Sequence, residues 1–360
     1  MTVFRRQSSA RWSCGSRVKP ASVVFHGLKQ LGGVLLLTLA AGLAVAPALA
    51  QTPAPTAPKE SSRSLTDWLT RMHEASRQRA YQGTLVVSAG ANMSASKIWH
   101  VCDGAQQMER VETLTGAPRT TIRRNNDVIT FAPDSKTAWV EKRESLGLFP
   151  ELLRTSSNAI PEHYDVRELG VDRVAGHLAD RIEVVPRDAL RFGYQIWAEQ
   201  KTGLVVKMQT LGVQGSVLEQ VAFSELQLNA PVRMDELKRQ MGDIRGYEIH
   251  KPKMKKTTAA AEGWRLKEAI PGFASMSCHT RGAPGVAEPA SMQWVFSDGL
   301  ASVSLFVETF DPQRHSAEKS AAVGATHSFA RQIDGHWVTA LGEVPTATLR
   351  RFVQALERTR

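Results

Sequence analysis

The apolar residues of the chain follow a helical spacing first and a β spacing afterwards. Ser64 and Asp67 form a capping box, and the apolar positions that follow recur at intervals of three and four residues. These positions are Leu65, Trp68, Leu69, Met72 and Ala75. The pattern predicts an amphipathic helix with one buried face at the start of a first domain.

From Thr84 onward, apolar and polar residues alternate with a period of two, as they do in half-buried strands. Turn dipeptides such as Asp103-Gly104 and Thr202-Gly203 separate the alternating runs. Examples of the runs are Leu85/Val87, Ile129/Phe131, Ile182/Val184 and Phe192/Tyr194/Ile196. We predict about eleven short strands, joined mainly by hairpins into one large, curved antiparallel sheet.

The alternation is interrupted once, between residues 146 and 161. Apolar residues there, Phe149 among them, cluster without a period of two. The segment is either a short helix and loop that covers the concave face of the sheet or a satellite of its core. The pattern does not separate these two interpretations.

Residues 230–262 differ in character from the sheet before them. A short helical pattern around Met234–Met241 precedes four lysines within residues 251–256. We interpret the segment as an interdomain linker. Its lysines are either solvated or available to an acidic partner or anionic lipid.

The last hundred residues predict a smaller α+β unit. One hairpin turns at Asp298-Gly299 and a second at Asp334-Gly335. After Pro345, apolar residues return to a helical spacing and predict a closing helix. The apolar stripe of this helix consists of Leu349, Phe352, Val353 and Leu356.

The N-terminus has the features of an export signal. Basic residues precede an apolar run from Leu31 to Val45, and Ala48-Leu49-Ala50 provides a cleavage site. Gln51 follows rather than cysteine, so this site offers no lipid attachment. We predict a periplasmic protein that is soluble after cleavage, with an uncleaved membrane anchor as the alternative.

The predicted organisation has five parts. They are a signal peptide (1–50), a leader rich in Pro and Ala (51–63), a first domain (64–229), a linker (230–262) and a small second domain (263–360).

Removal of the signal changes the charge and the cysteine count. It takes six of the 45 Lys and Arg residues and none of the 35 Asp and Glu residues, which leaves a net charge of +4. This small positive charge no longer favours a nucleic-acid partner. Cys14 leaves with the signal, so Cys102 and Cys278 remain. They form a disulfide between the two halves or stay two small buried residues, and both alternatives are open.

The sequence contains none of the common catalytic motifs. It lacks a G-x-S-x-G elbow, a P-loop, a dinucleotide fingerprint and an H-E-x-x-H zinc motif. His100, Cys102, Cys278 and His279 would hold zinc only if the two domains met at these residues, which nothing in the sequence demonstrates. We predict a protein that is not an enzyme and needs no cofactor or metal.

Aromatic residues on or near the predicted strands are candidates for an apolar ligand cavity. They either line such a cavity within the curved sheet or fill its core. The candidates are Trp99, Phe131, Trp139, Phe149, Tyr194 and Trp197.

Several short motifs recur along the chain in a characteristic order and spacing. These landmarks include Tyr81-Gln82-Gly83-Thr84, Asp172-Arg173-Val174-Ala175-Gly176, Arg191-Phe192-Gly193-Tyr194, Ser297-Asp298-Gly299-Leu300 and Gly342-Glu343-Val344-Pro345. Together they resemble the RseB/MucB family of periplasmic sigma-E regulators. The resemblance extends over residues 64–360, and its most specific part runs from Asp172 to Trp197.

The resemblance implies a mainly β fold: a half-open antiparallel barrel similar to LolA and LolB, with covering helices, and a smaller α+β domain. It implies a negative regulator that binds the periplasmic domain of a single-span anti-sigma factor similar to RseA or MucA. Binding would hinder proteolysis of that factor, and lipopolysaccharide or a related lipid would release it. A periplasmic lipid or lipoprotein carrier is the alternative, and homo-oligomerisation is left open.

Overall fold

The computed structural model describes residues 63–104, 106–142, 160–282, 291–315 and 317–359. The predicted signal peptide, nearly all of the predicted leader, and residues 146–159 of the apolar segment, with Phe149, lie outside the described residues. The two large β-sheets of the described part belong to one compact unit.

The predicted first helix is confirmed as α1 (Leu65–Gln78). The Asp67 amide donates to Ser64 Oγ at 3.1 Å and the Ser64 amide donates to Asp67 Oδ2 at 3.3 Å, which completes the capping box. The five apolar residues of the predicted stripe are all buried. α1 therefore presents the face that the sequence predicted.

In the described part of the first domain there are eleven strands, as predicted. They are β1 (Tyr81–Ala89), β2 (Asn92–Cys102), β3 (Gln107–Thr113), β4 (Thr120–Arg124), β5 (Asp127–Ala132), β6 (Thr137–Lys142), β7 (Tyr164–Val174), β8 (His177–Pro186), β9 (Gly193–Glu199), β10 (Val205–Leu211) and β11 (Val217–Leu228). A short helix, α2 (Ile160–His163), precedes β7. With β12 (Glu248–His250), the strands form one sheet in the order β12-β6-β5-β4-β3-β2-β1-β11-β10-β9-β8-β7.

This sheet is open and strongly curved. Its edges are β12 and β7, which do not pair with each other. His177 Nε2, at the start of β8, lies 3.1 Å from the Leu226 carbonyl oxygen in β11. A flat sheet would hold these strands about 14 Å apart, three interstrand spacings, so the sheet must bend. The predicted half-open, mainly β architecture is confirmed.

The register defines two faces of the sheet. The inner face carries Tyr81, Ile98 and Val111, which pack with the apolar stripe of α1 in the first core. The outer face carries Ile122 and Phe131, which pack beneath the helix α3 (Met234–Gly242). Helices therefore cover the sheet from both sides.

The segment predicted as a linker connects the two sheets and is itself ordered. α3 buries Leu237 and Met241 against the outer face, and β12 pairs in parallel with β6. β13 (Lys253–Lys256) then joins the second sheet beside β15 (Ala274–Gly282). Apolar residues spaced along a polar segment give it these attachments, so three of its four clustered lysines lie on the strand β13.

The second domain is a seven-stranded antiparallel sheet with a helix on one face. Its remaining strands are β16 (Ser291–Ser297), β17 (Ser302–Thr309), β18 (Lys319–Val323), β19 (Thr326–Ile333) and β20 (His336–Gly342), in the order β13-β15-β16-β17-β20-β19-β18. Both predicted hairpins are present, and α4 (Thr346–Ala355) buries Leu349, Phe352 and Val353. A small separate ladder joins β14 (Trp264–Leu266) to β21 (Leu356–Arg358).

Candidate functional site

The two domains meet at a buried ion pair. The Arg191 Nε–H donates to Asp298 Oδ2 at 2.6 Å, and both side chains are completely buried. The Tyr164 hydroxyl donates to the same carboxylate oxygen at 2.9 Å. Arg191 and Tyr164 belong to the first domain and Asp298 to the second, so this carboxylate receives two donors from across the junction.

The remaining polar atoms of the pair also have partners. Arg191 Nη2 donates to the Pro271 carbonyl oxygen at 2.7 Å, and Nη1 contacts Asp188. Asp298 Oδ1 accepts the Leu300 and Ala301 amides at 2.9 and 2.7 Å. A buried ion pair is stable only when such hydrogen bonds satisfy it. The local turn thus presents Asp298 to Arg191 in a fixed orientation.

The protonation states at the junction follow from burial and charge. Burial raises the pKa of Tyr164 well above its ordinary value, and the Asp298 carboxylate adds to the shift. Tyr164 therefore stays a hydroxyl donor. For Arg191, burial alone would lower the pKa, but Asp298 and Asp188 outweigh it and the net pKa is raised. The guanidinium remains charged.

Apolar side chains from each domain reach into the core of the other. Leu300, from the β16–β17 turn, packs against the first core, and Leu190, from the β8–β9 loop, packs against the second. Thr348, in the first turn of α4, donates its hydroxyl to the Leu190 carbonyl oxygen at 2.8 Å. These reciprocal contacts hold the two domains in one arrangement.

Two glycines allow the close approach of the domains. A β-carbon on Gly272 would lie 2.5 Å from His163 Nε2 and closer still to Arg191 Nη2. A β-carbon on Gly324 would lie 2.6 Å from Glu219 Oε2 and 2.7 Å from Ala89 Cβ. Both glycines have positive φ, which favours glycine for a second reason. The junction thus has a second contact, between the β18–β19 turn and the first sheet.

The inner face also carries a polar row across successive strands. Tyr81, His100, Glu109 and Arg123 occupy neighbouring positions from β1 to β4. The Tyr81 and His100 rings stack with centroids 4.9 Å apart, and His100 Nδ1 lies 2.8 Å from the Arg79 carbonyl oxygen. Arg123 Nη2 and Glu109 Oε2 are 3.8 Å apart, with both side chains buried. The interior of the sheet is therefore not uniformly apolar.

The aromatic cavity candidates are divided between the two faces. Trp139 and Tyr194 lie on the inner face: Trp139 stacks on His250 with ring centroids 6.2 Å apart, and Tyr194 is buried near Tyr164. Trp99, Phe131 and Trp197 point to the opposite face.

The three residues on the opposite face each contact other side chains of the protein. Arg110 and Lys97 lie over the Trp99 ring, Phe131 packs under α3, and Trp197 donates to Asp172 Oδ2 at 3.1 Å. Successive side chains of a strand point to opposite faces, so the register does not bring the five described candidates together. Ligand contact by any of them stays a prediction.

Cys102 and Cys278, the cysteines of the described residues, are separate free thiols. Cys102 is half-buried at the end of β2, and Cys278 is buried in the core of the second domain among β15 and β16. The disulfide considered for this pair is therefore not formed in the structure. Within the described ranges, no three His, Cys, Asp or Glu side chains are grouped as metal ligands.

The junction residues were only partly visible to sequence reasoning. Arg191 and Asp298 lie in two of the landmark motifs, but no sequence pattern indicates that they contact each other. No sequence pattern marks Tyr164, Gly272 or Glu219 as part of the junction. A local clue did exist for Asp298, because an aspartate in a turn commonly accepts amides two and three residues later.

The fold and the junction define a two-domain, mainly β protein whose open curved sheet is locked onto a smaller domain. Two family models match the chain: the MucB/RseB N-terminal domain over residues 64–241 and the MucB/RseB C-terminal domain over residues 258–357. The chain belongs to the MucB/RseB family, as the landmark motifs predicted.

Curated relatives are regulatory proteins of similar length. The sigma factor AlgU regulatory protein MucB of Pseudomonas aeruginosa is 29% identical over 314 residues, which cover 83% of this chain and 92% of that protein. The sigma-E factor regulatory protein RseB of Haemophilus influenzae is 25% identical over 293 residues, covering 80% and 90%.

Solved structures extend the likeness to three dimensions. A crystal structure of MucB in complex with MucA(peri) has a TM-score of 0.64 at 26% identity, covering 82% of this chain and 99% of that chain. A crystal structure of MucB has a TM-score of 0.58 at the same identity. In the described part of this chain, no helix is both long and apolar enough to cross a membrane.

Proposed function

We propose that the protein is a negative regulator of a sigma-E envelope-stress response that binds the periplasmic domain of a single-span anti-sigma factor. The observation that carries the proposal is the likeness, over both domains, to MucB in its complex with MucA(peri). The predicted N-terminal export signal supports a periplasmic location. In this proposal the bound segment is shielded from regulated proteolysis.

The junction between the two domains, which the Arg191–Asp298 ion pair holds together, supports a binding role that uses both domains. Specific protein interfaces commonly bury about 1,200–2,000 Å² in total, so they extend over many surface elements. A fixed arrangement of two domains offers such a surface without a large ordering cost on binding. A simple lipid carrier would need only the curved sheet and its helices.

Calorimetry tests the main claim. Residues 51–360, titrated with the periplasmic domain of the anti-sigma factor encoded beside the cognate sigma factor, are expected to bind saturably with a Kd of about 1 µM or tighter. A scrambled segment of the same composition is the control and should not bind. Absence of saturable heat, together with separate elution of the two proteins, would remove the proposed function.

Release by lipid is a second part of the proposal. Each acyl CH₂ that moves from water onto an apolar surface contributes about 0.8 kcal/mol, so several chains together outweigh a moderate protein interface. In this proposal the acyl chains reach the apolar inner face of the open sheet, which α1 covers in the structure. Release also requires that lipid and partner favour different bound states, because a ligand with no differential affinity shifts nothing.

A competition experiment tests the release. A lipid A-like amphiphile at saturating concentration is expected to weaken binding of the anti-sigma segment by about tenfold or more, a coupling typical of linked sites. The matched control is the same headgroup without acyl chains, which should have no effect. If the affinity for the anti-sigma segment is unchanged at saturation, the proposed release by lipid is wrong, while the proposed regulatory binding still stands.

A further inference from the structure

The edge strands of the two sheets differ in how well they are protected from pairing. β7 carries a bulge between Glu168 and Gly170 and several charged residues, and β12 has only three residues. β13 carries three lysines. Bulges, shortness and charges are the common means by which proteins prevent an edge from pairing with another strand.

β18 has almost none of these protections. All five of its residues, Lys319–Val323, are exposed, and only Lys319 is charged. The other residues are Ser320, Ala321, Ala322 and Val323, and they include neither proline nor glycine. Their small side chains leave the backbone accessible along one edge of the second sheet. Among the described edges, β18 is the one open to a further strand.

The hairpin geometry shows which backbone groups face outward. β18 and β19 are joined by two residues, Gly324 and Ala325, and Gly324 has a φ of 57°, as in a type II′ turn. The pair that closes such a turn, Val323 and Thr326, exchanges hydrogen bonds, and the pairs then alternate along the ladder. The N–H and C=O groups of Ser320 and Ala322 therefore point away from β19.

The edge is held in place by the first domain. The Ala325 amide donates to Glu219 Oε2 at 3.4 Å, and Gly324 packs against Ala89. Both contacts are made by the turn that directly follows β18. A strand that is already fixed loses little conformational freedom when another strand pairs with it. β18 is thus a preorganised template beside the domain junction.

We infer that β18 is a docking edge for an extended segment of the anti-sigma factor, which would add to the second sheet as an eighth strand. The inference rests on the proposed function. Main-chain hydrogen bonds to Ser320 and Ala322 provide the contact, as in other cases of β-strand addition. A second copy of this chain is a poorer occupant, because a five-residue strand buries far less than the 1,200–2,000 Å² of a stable dimer.

Substitution of an outward-facing amide tests the inference. Ala322→Pro removes the N–H that a docked strand would use but leaves the β18–β19 hydrogen bonds, and proline is tolerated at edge positions of this kind. Calorimetry with the anti-sigma segment is expected to show binding weakened about tenfold, as for a lost backbone hydrogen bond. Ala322→Ser retains the N–H and should bind within about twofold of the original chain.

Amide hydrogen exchange gives a second measurement. In the original chain, the Ser320 and Ala322 amides should exchange about tenfold more slowly when the segment is bound, because they become donors. Unchanged exchange at both amides, or wild-type affinity in a folded Ala322→Pro variant, would overturn the docking edge and leave the proposed function standing. Failure of the original chain to bind would overturn both.

Discussion

Replacement of Asp298 by alanine is expected to lower the free energy of unfolding by about 3–5 kcal/mol, the cost of removing one partner from a buried ion pair. The Arg191 guanidinium would stay completely buried with its main counter-charge gone. The Tyr164 hydroxyl would lose its acceptor in the same change. Urea unfolding followed by tryptophan fluorescence measures the loss.

Two further variants separate the causes of that loss. Asp165→Ala breaks an exposed ion pair with Arg187, 2.6 Å long and in the same part of the first domain, and should change stability far less. Asp298→Asn keeps a carbonyl acceptor for the Leu300 and Ala301 amides. Its loss of stability should lie between those of Asp298→Ala and Asp165→Ala. If Asp298→Ala costs no more than Asp165→Ala, the ion pair does not stabilise the junction.

Gly272→Ala is expected to have the second large effect. It should lower the free energy of unfolding by about 3 kcal/mol or more, because backbone strain and steric overlap both contribute. The new β-carbon would overlap the Arg191 guanidinium and the His163 ring. The guanidinium cannot retreat without leaving Asp298. Thermal unfolding is the measurement, evaluated at the midpoint of the original chain.

The second hairpin of the smaller domain offers a matched control. Gly335 has a φ of 74°, close to the 79° of Gly272, but a β-carbon there would meet nothing within 4 Å. Gly335→Ala should therefore cost only the backbone strain, about 1–2 kcal/mol. Equal losses in the two variants would show that close approach at the junction is unimportant. The double variant Gly272→Ala, Asp298→Ala should lose less unfolding free energy than the sum of the two single losses, since both changes disrupt one contact.

The local architecture was predictable because its signals lie within a few residues of one another. The capping box of α1 and its stripe of buried residues depend on spacings of three and four positions. The hairpins at Asp298-Gly299 and Asp334-Gly335 depend on turn residues between alternating runs. The count of eleven strands in the first domain follows from the same period.

The aromatic candidates show where that reasoning stops. Alternation places Trp99 and Ile98 on opposite faces, but it does not say which face a helix will cover. Here α1 covers one face and α3 the other, so both faces become buried. The lysine-rich segment shows the same limit, since its composition resembles a solvated linker while pairing with β15 makes it a strand.

The helix α1, the β character and strand count of the first domain, the hairpins of the second and, through ordered motifs, the family all follow from the amino-acid sequence alone. The contacts that join these elements are visible only in the folded chain. Arg191 and Asp298 are 107 positions apart, and the Ala325 amide lies 106 positions from its acceptor Glu219. Periodicity and turn chemistry act over a few residues, whereas the meeting of two sheets depends on how the whole chain is packed.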